Sequence, residues 1–424
     1  MTFIEFYERD TIENLCGCLT KVPDRVVLVG DKKKLLETHA ARYTRILKER
    51  GQHTEFICRT IPRNDMGQII EKLTEIVDEF GDCVFDLTGG DDLYLVGAGI
   101  VFDRKKNEGV NVQMHRFNVA QNVVYDCDLD NNTVFDSVSP ALSVEENIKL
   151  YGGIVVIDEH KPQYTCQWNM SAGFRNDIAR MWEISRDNFD EWNWQIGMYK
   201  AAETLKEESK DPLKVTVKVS RLREAYREQG RSYYNIFRIR DELVNAGLLL
   251  DYDRIDKDEL SFRYKNEQIK RCLTKEGQLL EIMIYSTAIN TYTDAMTGVV
   301  IDWDGVVEED NAGDYSTINE IDVMMTHGMV PVFVSCKNGD VDQEELYKLS
   351  AVANRFGGKY AKKVLVASNL ENGTPFGNFF RRRAKDMGIR LVEGFTDSQG
   401  IVTERLTDMD AGEVERLVRS FWNA

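Results

Sequence analysis

None of the eight cysteines in this 424-residue sequence forms a C-x-x-C pair, and the five histidines are scattered. That spacing excludes a zinc finger or ribbon. Cys16 and Cys18 stand only two apart, and the cysteines read as core thiols of a reduced, cytoplasmic protein. No apolar run approaches a membrane span, and the polar start Met1-Thr2-Phe3-Ile4-Glu5 lacks a signal-peptide pattern, so no membrane partner is expected. There is no G-x-G-x-x-G, which argues against a dinucleotide site. Positive charge is in deficit: 54 Lys and Arg face 71 Asp and Glu, for a net charge of −17. Such a chain does not coat nucleic acid nonspecifically, although one local basic groove is compatible with it. Candidate clusters are Arg381-Arg382-Arg383 with Lys385, and Lys359 with Lys362 and Lys363. Each also reads as a solvated helix face.

A chain this long, with 42% hydrophobic residues, has material for two or three packed domains. The first ~155 residues alternate short apolar runs with amphipathic stretches, the pattern of a parallel α/β sheet. Strands are expected at Phe3–Tyr7, Arg25–Val29, His53–Ile57 and Cys83–Asp86, with a later antiparallel extension at Gln113–Phe117 and Val123–Tyr125 and a turn at Asn131-Asn132. The loop Leu87-Thr88-Gly89-Gly90-Asp91-Asp92 follows the fourth strand. Ligands of open α/β sheets sit outside the carboxyl ends of strands, and paired glycines let backbone N–H groups come close to one. A tight strand-to-helix turn capped by Thr88 is the simpler alternative.

Residues ~160–210, bearing Trp168, Trp182, Trp192 and Trp194, read as a helical connector. Between Pro212 and Lys275, helices at Val219–Tyr226 and Tyr234–Ala246 precede a hairpin with Asp256-Lys257-Asp258 at its tip and Leu260–Tyr264 as its return strand. Two helices and a wing resemble a winged helix. Its second helix mixes Arg238 and Arg240 with Asp241 and Glu242, so nucleic-acid contact and a structural role both remain open.

The C-terminal region carries the strongest chemical signal. Asn319-Glu320-Ile321-Asp322-Val323 and Ser335-Cys336-Lys337-Asn338-Gly339 read as two strands of a hairpin joined near His327-Gly328. With an even-length turn, Asp322 is expected opposite Phe333 and Glu320 opposite Ser335. Glu320, Asp322, Ser335 and Lys337 then share one face, and Ile321, Val323, Val334 and Cys336 the other. Two carboxylates and a lysine on one strand face must pair, meet solvent or hold a metal. They also suit metal-dependent phosphodiester hydrolysis, with the lysine orienting or deprotonating water. Upstream, Glu281 is a lone acid in the apolar run Leu279–Tyr285, so burial with a partner, a metal or a lysine, is expected; a helix edge on which it reaches solvent is the alternative. A strand at Val299–Trp303, a helix at Asp342–Phe356, a strand at Lys363–Ser368 and a basic helix at Asn378–Met387 complete an α/β sandwich.

Together, Glu281, the Asn-Glu-Ile-Asp and Ser-Cys-Lys-Asn motifs, the Thr88-Gly89-Gly90 loop and the Glu8-Arg9-Asp10-Thr11 loop resemble a known family. The family is that of type III CRISPR ancillary nucleases, which join a CRISPR-associated Rossmann fold (CARF) sensor to a PD-(D/E)XK nuclease. The resemblance implies an α/β chain: a Rossmann-like CARF domain at 1–158, a connector and winged-helix-like linker at 159–275, and a restriction-endonuclease-like domain at 276–424. It implies a homodimer that binds a cyclic oligoadenylate, usually cyclic tetra-adenylate, and cleaves DNA or RNA with Mn2+ or Mg2+. Glu281, Asp322 and Lys337 match the family's catalytic positions. The acid normally two before the lysine is Ser335 here, and Glu320 is expected to replace it, failing which the Cys336 carbonyl would help hold the metal. The ring is expected to meet Arg9, Asp10, Thr11, Gly30, Asp31, Lys32, Thr88, Gly89, Gly90 and Asp91, and the substrate Arg381, Arg382 and Lys385. A ligand-responsive regulator with an inactive nuclease fold, and an ungated restriction-type endonuclease, are the competing expectations.

Overall fold

The computed structural model describes residues 1–127, 134–135, 140–157, 165, 167–253, 258–305, 318–370, 374–396 and 402–423. The expected turn at Asn131-Asn132, most of the hairpin tip at Asp256-Lys257 and the 158/159 boundary lie outside these residues.

The N-terminal part alternates strand and helix: β1 (Thr2–Phe6), α1 (Glu13–Lys21), β2 (Arg25–Gly30), α2 (Lys33–Glu49), β3 (Glu55–Thr60), α3 (Met66–Phe80), β4 (Cys83–Asp86) and α4 (Asp92–Asn107). Then come β5 (Val112–Asn118), β6 (Val123–Asp126) and β7 (Val134–Phe135). Among the described residues they form one seven-stranded sheet in the order β3-β2-β1-β4-β5-β6-β7. It is parallel from β3 to β5 and antiparallel beyond. β1 and β2 are buried on both faces, as their nearly unbroken apolar sequence requires. Leu15, Leu36 and Tyr43 cover one face, and Ile69, Leu73 and Ala98 the other. Because β1 leads to β2 on one side and pairs with β4 on the other, the chain order reverses between β1 and β4. The loops after these two strands face each other across that reversal, the usual ligand crevice of such sheets.

Next come α5 (Val144–Leu150), opened by a Ser143/Glu146 capping box, and the short strand β8 (Ile154–Val155). The connector is α6 (Ala172–Arg186) and α7 (Phe189–Leu205), in which Trp182 and Trp192 are buried and Trp194 is exposed. β9 (Lys214–Lys218), α8 (Val219–Glu228), α9 (Phe237–Asn245), β10 (Leu249–Asp253) and β11 (Glu259–Tyr264) follow. The wing is a three-stranded sheet, β10-β11-β9, because Lys-Val-Thr-Val-Lys supplies an extra alternating strand. Arg238 on α9 is surrounded by Glu242, Glu191 and Asp187 at 3.1–3.7 Å. That arrangement occupies it within the fold.

The C-terminal part runs α10 (Glu267–Thr274), α11 (Gln278–Thr291), β12 (Asp294–Asp302), β13 (Ile318–His327), β14 (Val330–Lys337), α12 (Gln343–Gly357), β15 (Lys362–Ala367), α13 (Pro375–Asp386) and β16 (Ile389–Val392). Among the described residues its sheet has six strands, in the order β16-β15-β14-β13-β12-β8. β8, from the first 158 residues, pairs with β12 and closes that edge. The β13–β14 turn is Gly328-Met329, with Gly328 at φ +60°. The resulting register pairs Phe333 with Met324 and Val334 with Val323, two residues away from the expected Asp322–Phe333 alignment. A two-residue displacement preserves parity where the strands pair, and Val323, Val334 and Cys336 share one buried cluster. Ile321, expected beside them, lies in the other with Met324 and Phe333, so the expected faces do not hold past Asp322.

Apolar contacts join the parts directly. One buried cluster runs from Phe3, Leu15 and Tyr43 through Ile148 and Leu150 to Ile301, Phe333 and Phe356. A second packs α6, α7 and α11 against Val323, Val334 and Val364 on the other sheet face.

Candidate functional site

The acidic cleft forms where β13 leaves its neighbours. Pairing with β14 is seen from His327 to Val323, and the Asp322 side chain then takes over. Its Oδ2 accepts the Cys336 N–H at 2.6 Å and the Ser335 hydroxyl at 3.1 Å. On the opposite side, the β12–β13 pairing is interrupted at Gly298, whose φ is +57°. There the Thr297 hydroxyl donates to the Asp322 carbonyl at 2.9 Å. Asp322 is thus held at both main chain and side chain.

Glu281, in the first turn of α11, is buried and accepts from Gln278 Nε2 at 2.9 Å. Lys275 Nζ lies 3.7 Å from Glu281 and 3.2 Å from Glu320, joining an acid on α11 to one on β13. On the far side of Asp322, Lys337 Nζ is 3.0 Å from Glu345 Oε2 on α12. Glu320, Asp322, Ser335, Lys337, Glu345 and Lys348 all line one cleft. The sequence reading missed Lys275 and Glu345. Lys275 precedes a helix without any motif, and Glu345 is one of two acids in a helix first turn, where acids commonly offset the dipole.

Burial pushes Glu281 up to about 7; Lys275 opposes this, and the charges of Asp322 and Glu320 add to it. Burial also lifts Asp322 above its ordinary value, against the Cys336 N–H, the Lys337 charge and the Ser335 hydroxyl. Burial disfavours the charge on Lys337, but Asp322 and Glu345 outweigh it and hold the ammonium above its ordinary value. The Cys336 thiol is buried on the opposite, apolar face and pushed well above its usual pKa, so it stays protonated.

Glu281, Glu320 and Asp322 offer oxygen donors only, the set that hard divalent cations prefer. The Lys275 ammonium between two of them shows that these acids draw positive charge. Among the described residues, no three metal-binding side chains are gathered into a ready-made cage.

The second candidate site is the crevice at the carboxyl ends of β1 and β4. Gly90 N–H donates to Glu8 at 3.3 Å, tying the two loops together. Gly90 has φ +124°, and a Cβ there would overlap that of Phe6, so only glycine fits. A Cβ on Gly89 would lie 2.8 Å from the Glu8 side chain and 3.1 Å from Glu13. The glycines therefore serve loop-to-loop packing. Thr88 is buried; its hydroxyl donates to Asp86 and accepts the Phe117 N–H at 2.8 Å, so it is committed inside the fold. Asp91 caps α4 through Leu93 N–H. Thr11 and Gly30 are buried, and Asp31 lies 3.9 Å from Arg63. Arg9 and Lys32 are exposed. Asp10 turns toward the C-terminal part and accepts the Lys359 N–H at 3.0 Å.

Of the expected basic residues, Arg381 is paired with Glu393 at 2.6 Å, while Arg382 and Lys385 are exposed. The described residues lining the acidic cleft come from β13, β14 and α12, and α13 supplies none.

This architecture defines a fold class: a mixed α/β chain with a mostly parallel N-terminal sheet and a mixed parallel and antiparallel C-terminal sheet. Three solved structures share it. Protein VC1899 from Vibrio cholerae superposes with a TM-score of 0.70 at 16% identity, over 99% of this chain and 97% of that one. Can2 from Sulfobacillus thermosulfidooxidans, in complex with cyclic tetra-adenylate, gives 0.63 at 14% identity, over 100% and 97%. A type III CRISPR defence DNA nuclease activated by cyclic oligoadenylate gives 0.50 at 10% identity, over 98% of this chain and 52% of that one. No protein-family model matches the sequence, and no curated protein matches it either. The likeness is one of fold, and at that level the resemblance to CRISPR-associated sensor nucleases is borne out.

Proposed function

We propose that this chain is a cyclic-oligoadenylate-activated, metal-dependent nuclease of type III CRISPR defence, acting as a homodimer. The observation that carries this reading is that Lys275 joins Glu281 on α11 to Glu320 on β13, whose cleft also holds Asp322 and Lys337, at the point where β13 parts from β14. Fold likeness to a protein bound to cyclic tetra-adenylate supports the sensor half. Fold alone does not fix activity, so the site geometry carries the weight.

Mn2+ or Mg2+ held by Glu281, Glu320 and Asp322 would supply the Lewis acidity for phosphodiester hydrolysis. The chain's own residues do the positioning. Cys336 N–H and the Ser335 hydroxyl fix Asp322 Oδ2 and leave Oδ1 for the cleft. Lys337 is kept charged beside it, suited to hold a phosphate oxygen or steer the attacking water. Glu281, poised near neutrality, binds or releases a proton as positive charge leaves or enters the cleft. A two-fold symmetric ring needs a two-fold site, so one ring per dimer is expected. Arg9, Lys32 and the Gly89–Asp91 loop are the surfaces assigned to it, and Arg382 and Lys385 those assigned to nucleic acid.

One observation favours the regulator reading: Ser335 stands where the family carries a metal-binding acid. The deciding experiment measures cleavage of plasmid, single-stranded DNA and RNA with and without each cyclic oligoadenylate, in Mn2+ and in Mg2+. Ring-dependent cleavage that needs the metal is expected. Ring binding without cleavage in either metal would leave the regulator.

A further inference from the structure

Glu13, the first residue of α1, lies at the base of the crevice. One of its oxygens faces Gly89, where an added Cβ would sit 3.1 Å away. The other is held by two residues of the C-terminal part: Lys359 Nζ at 3.0 Å and the Tyr360 hydroxyl. Glu13 is almost fully buried, and a buried carboxylate depends on such partners. This buried acid of the crevice is therefore neutralised from outside its own sheet.

Lys359 and Tyr360 lie in the short turn Gly358–Tyr360 after α12, and the N-terminal part also caps that helix. Helix carbonyls at a C-terminus lack internal partners and must find others. Buried Asn147 donates to the Phe356 carbonyl at 2.6 Å, and Asp10 accepts the Lys359 N–H at 3.0 Å. Arg355 in turn donates to the Tyr151 carbonyl at 2.6 Å. At its other end, α12 presents Glu345 to Lys337 at 3.0 Å. From Glu345 to its C-terminal end at Gly357 the helix is a rod of about 18 Å.

We propose that α12 couples the crevice to the cleft: Glu13, through Lys359 and Tyr360, sets the helix, and Glu345 on that helix positions Lys337. This rests on reading Lys337 as the catalytic lysine and the crevice as the ring site. A ring against Gly89 alters the surroundings of Glu13, and α12 transmits the change to the ammonium in the cleft. Coupling of this kind requires the ligand to favour one arrangement of the linked elements over another. Glu345 is a positioning residue, acting through Lys337.

The test uses the full chain with Lys359→Met and Tyr360→Phe combined, and reads amide hydrogen exchange without ring, metal or substrate. Protection at residues 337–347 is expected to fall by about tenfold or more, while the amides of β2 and β12 keep theirs. Unchanged exchange at 337–347 overturns the proposal. Should the double variant unfold, Tyr360→Phe alone, which removes one hydroxyl, is read the same way. Lys359→Arg, which keeps the charge beside Glu13, should restore protection, and its failure to do so also counts against the coupling. A cleavage assay with cyclic tetra-adenylate gives the second reading: the double variant keeps KM but loses the ring-dependent rise in kcat over its own ring-free rate. A normal rise in the double variant overturns the proposal. If the wild-type chain ignores the ring, the proposed function falls, and the exchange data decide the coupling on their own.

Discussion

Lys275 Nζ lies 3.2 Å from Glu320 Oε1, and through that contact an exposed acid on β13 shares one cation with buried Glu281 on α11. Burial disfavours the lysine's charge, but Glu281 and Glu320 together hold it above its ordinary pKa. Replacing it with Lys275→Met leaves two acids facing each other uncompensated. Lys275 is half-exposed, so solvent screening limits the loss in stability to about 1 kcal/mol. Mn2+ should restore that loss by binding the folded state, seen as a melting temperature that rises more with Mn2+ in the variant than in wild type. Equal, metal-independent melting in both proteins would show that these acids do not hold a cation.

Asp322→Asn and Lys337→Met should each reduce cleavage by about a hundredfold or more, because they remove members of a cooperating set. Asn keeps an acceptor for the Cys336 N–H, so Asp322→Asn should melt near wild type. Asp322→Ala orphans that N–H and should cost about 1–3 kcal/mol. Wild-type turnover by either Asp322→Asn or Lys337→Met would refute the assignment. Glu320→Ala tests whether this exposed acid replaces the one missing at Ser335. Cleavage that needs a higher Mn2+ concentration is expected, and an unchanged metal requirement would transfer the role to Glu345 or the Cys336 carbonyl.

Glu281 makes stability depend on pH. Its folded value of about 7 lies above the ordinary 4.5, so between these limits the folded chain keeps a proton that the unfolded chain has released. Stability from this group is full below pH 4.5 and is lost as pH rises through 7. Metal-free urea denaturation should find Glu281→Gln close to wild type at pH 5. At pH 8 the variant should be more stable by on the order of 1–3 kcal/mol. The same variant should be inactive. Parallel stability curves from pH 5 to 8 would rule out the buried, proton-holding glutamate.

In the crevice, Gly90→Ala must either leave φ +124° or overlap Phe6. Loss of about 1–3 kcal/mol is expected, together with loss of ring binding by calorimetry. Gly89→Val would strike Glu8 and Glu13, so it disturbs the loop as well as any ligand. Arg9→Ala is the cleaner probe, since Arg9 is exposed. It should leave melting unchanged and weaken cyclic tetra-adenylate binding by about tenfold. Undiminished affinity would remove Arg9 from the ring site.

Much of the design is carried by local pattern. Period-two alternation placed Val323, Val334 and Cys336 on one buried face, a parity that survives a register displaced by two residues, while Ile321 departs from it next to Asp322. The unbroken apolar runs of β1 and β2 made a sheet covered on both faces legible, and a lone acid among Leu279–Tyr285 made Glu281's burial and need for a partner legible too. Register itself was decided by the Gly328-Met329 turn, whose length no alternation reveals. Contacts between distant segments belong to the tertiary structure alone. Glu13 meets Tyr360, Lys275 meets Glu320, and Lys337 meets Glu345 because three-dimensional packing brings their elements together. A charged residue's partner is whatever packing places within a few ångströms, and sequence spacing carries that information only within a helix turn or across a hairpin.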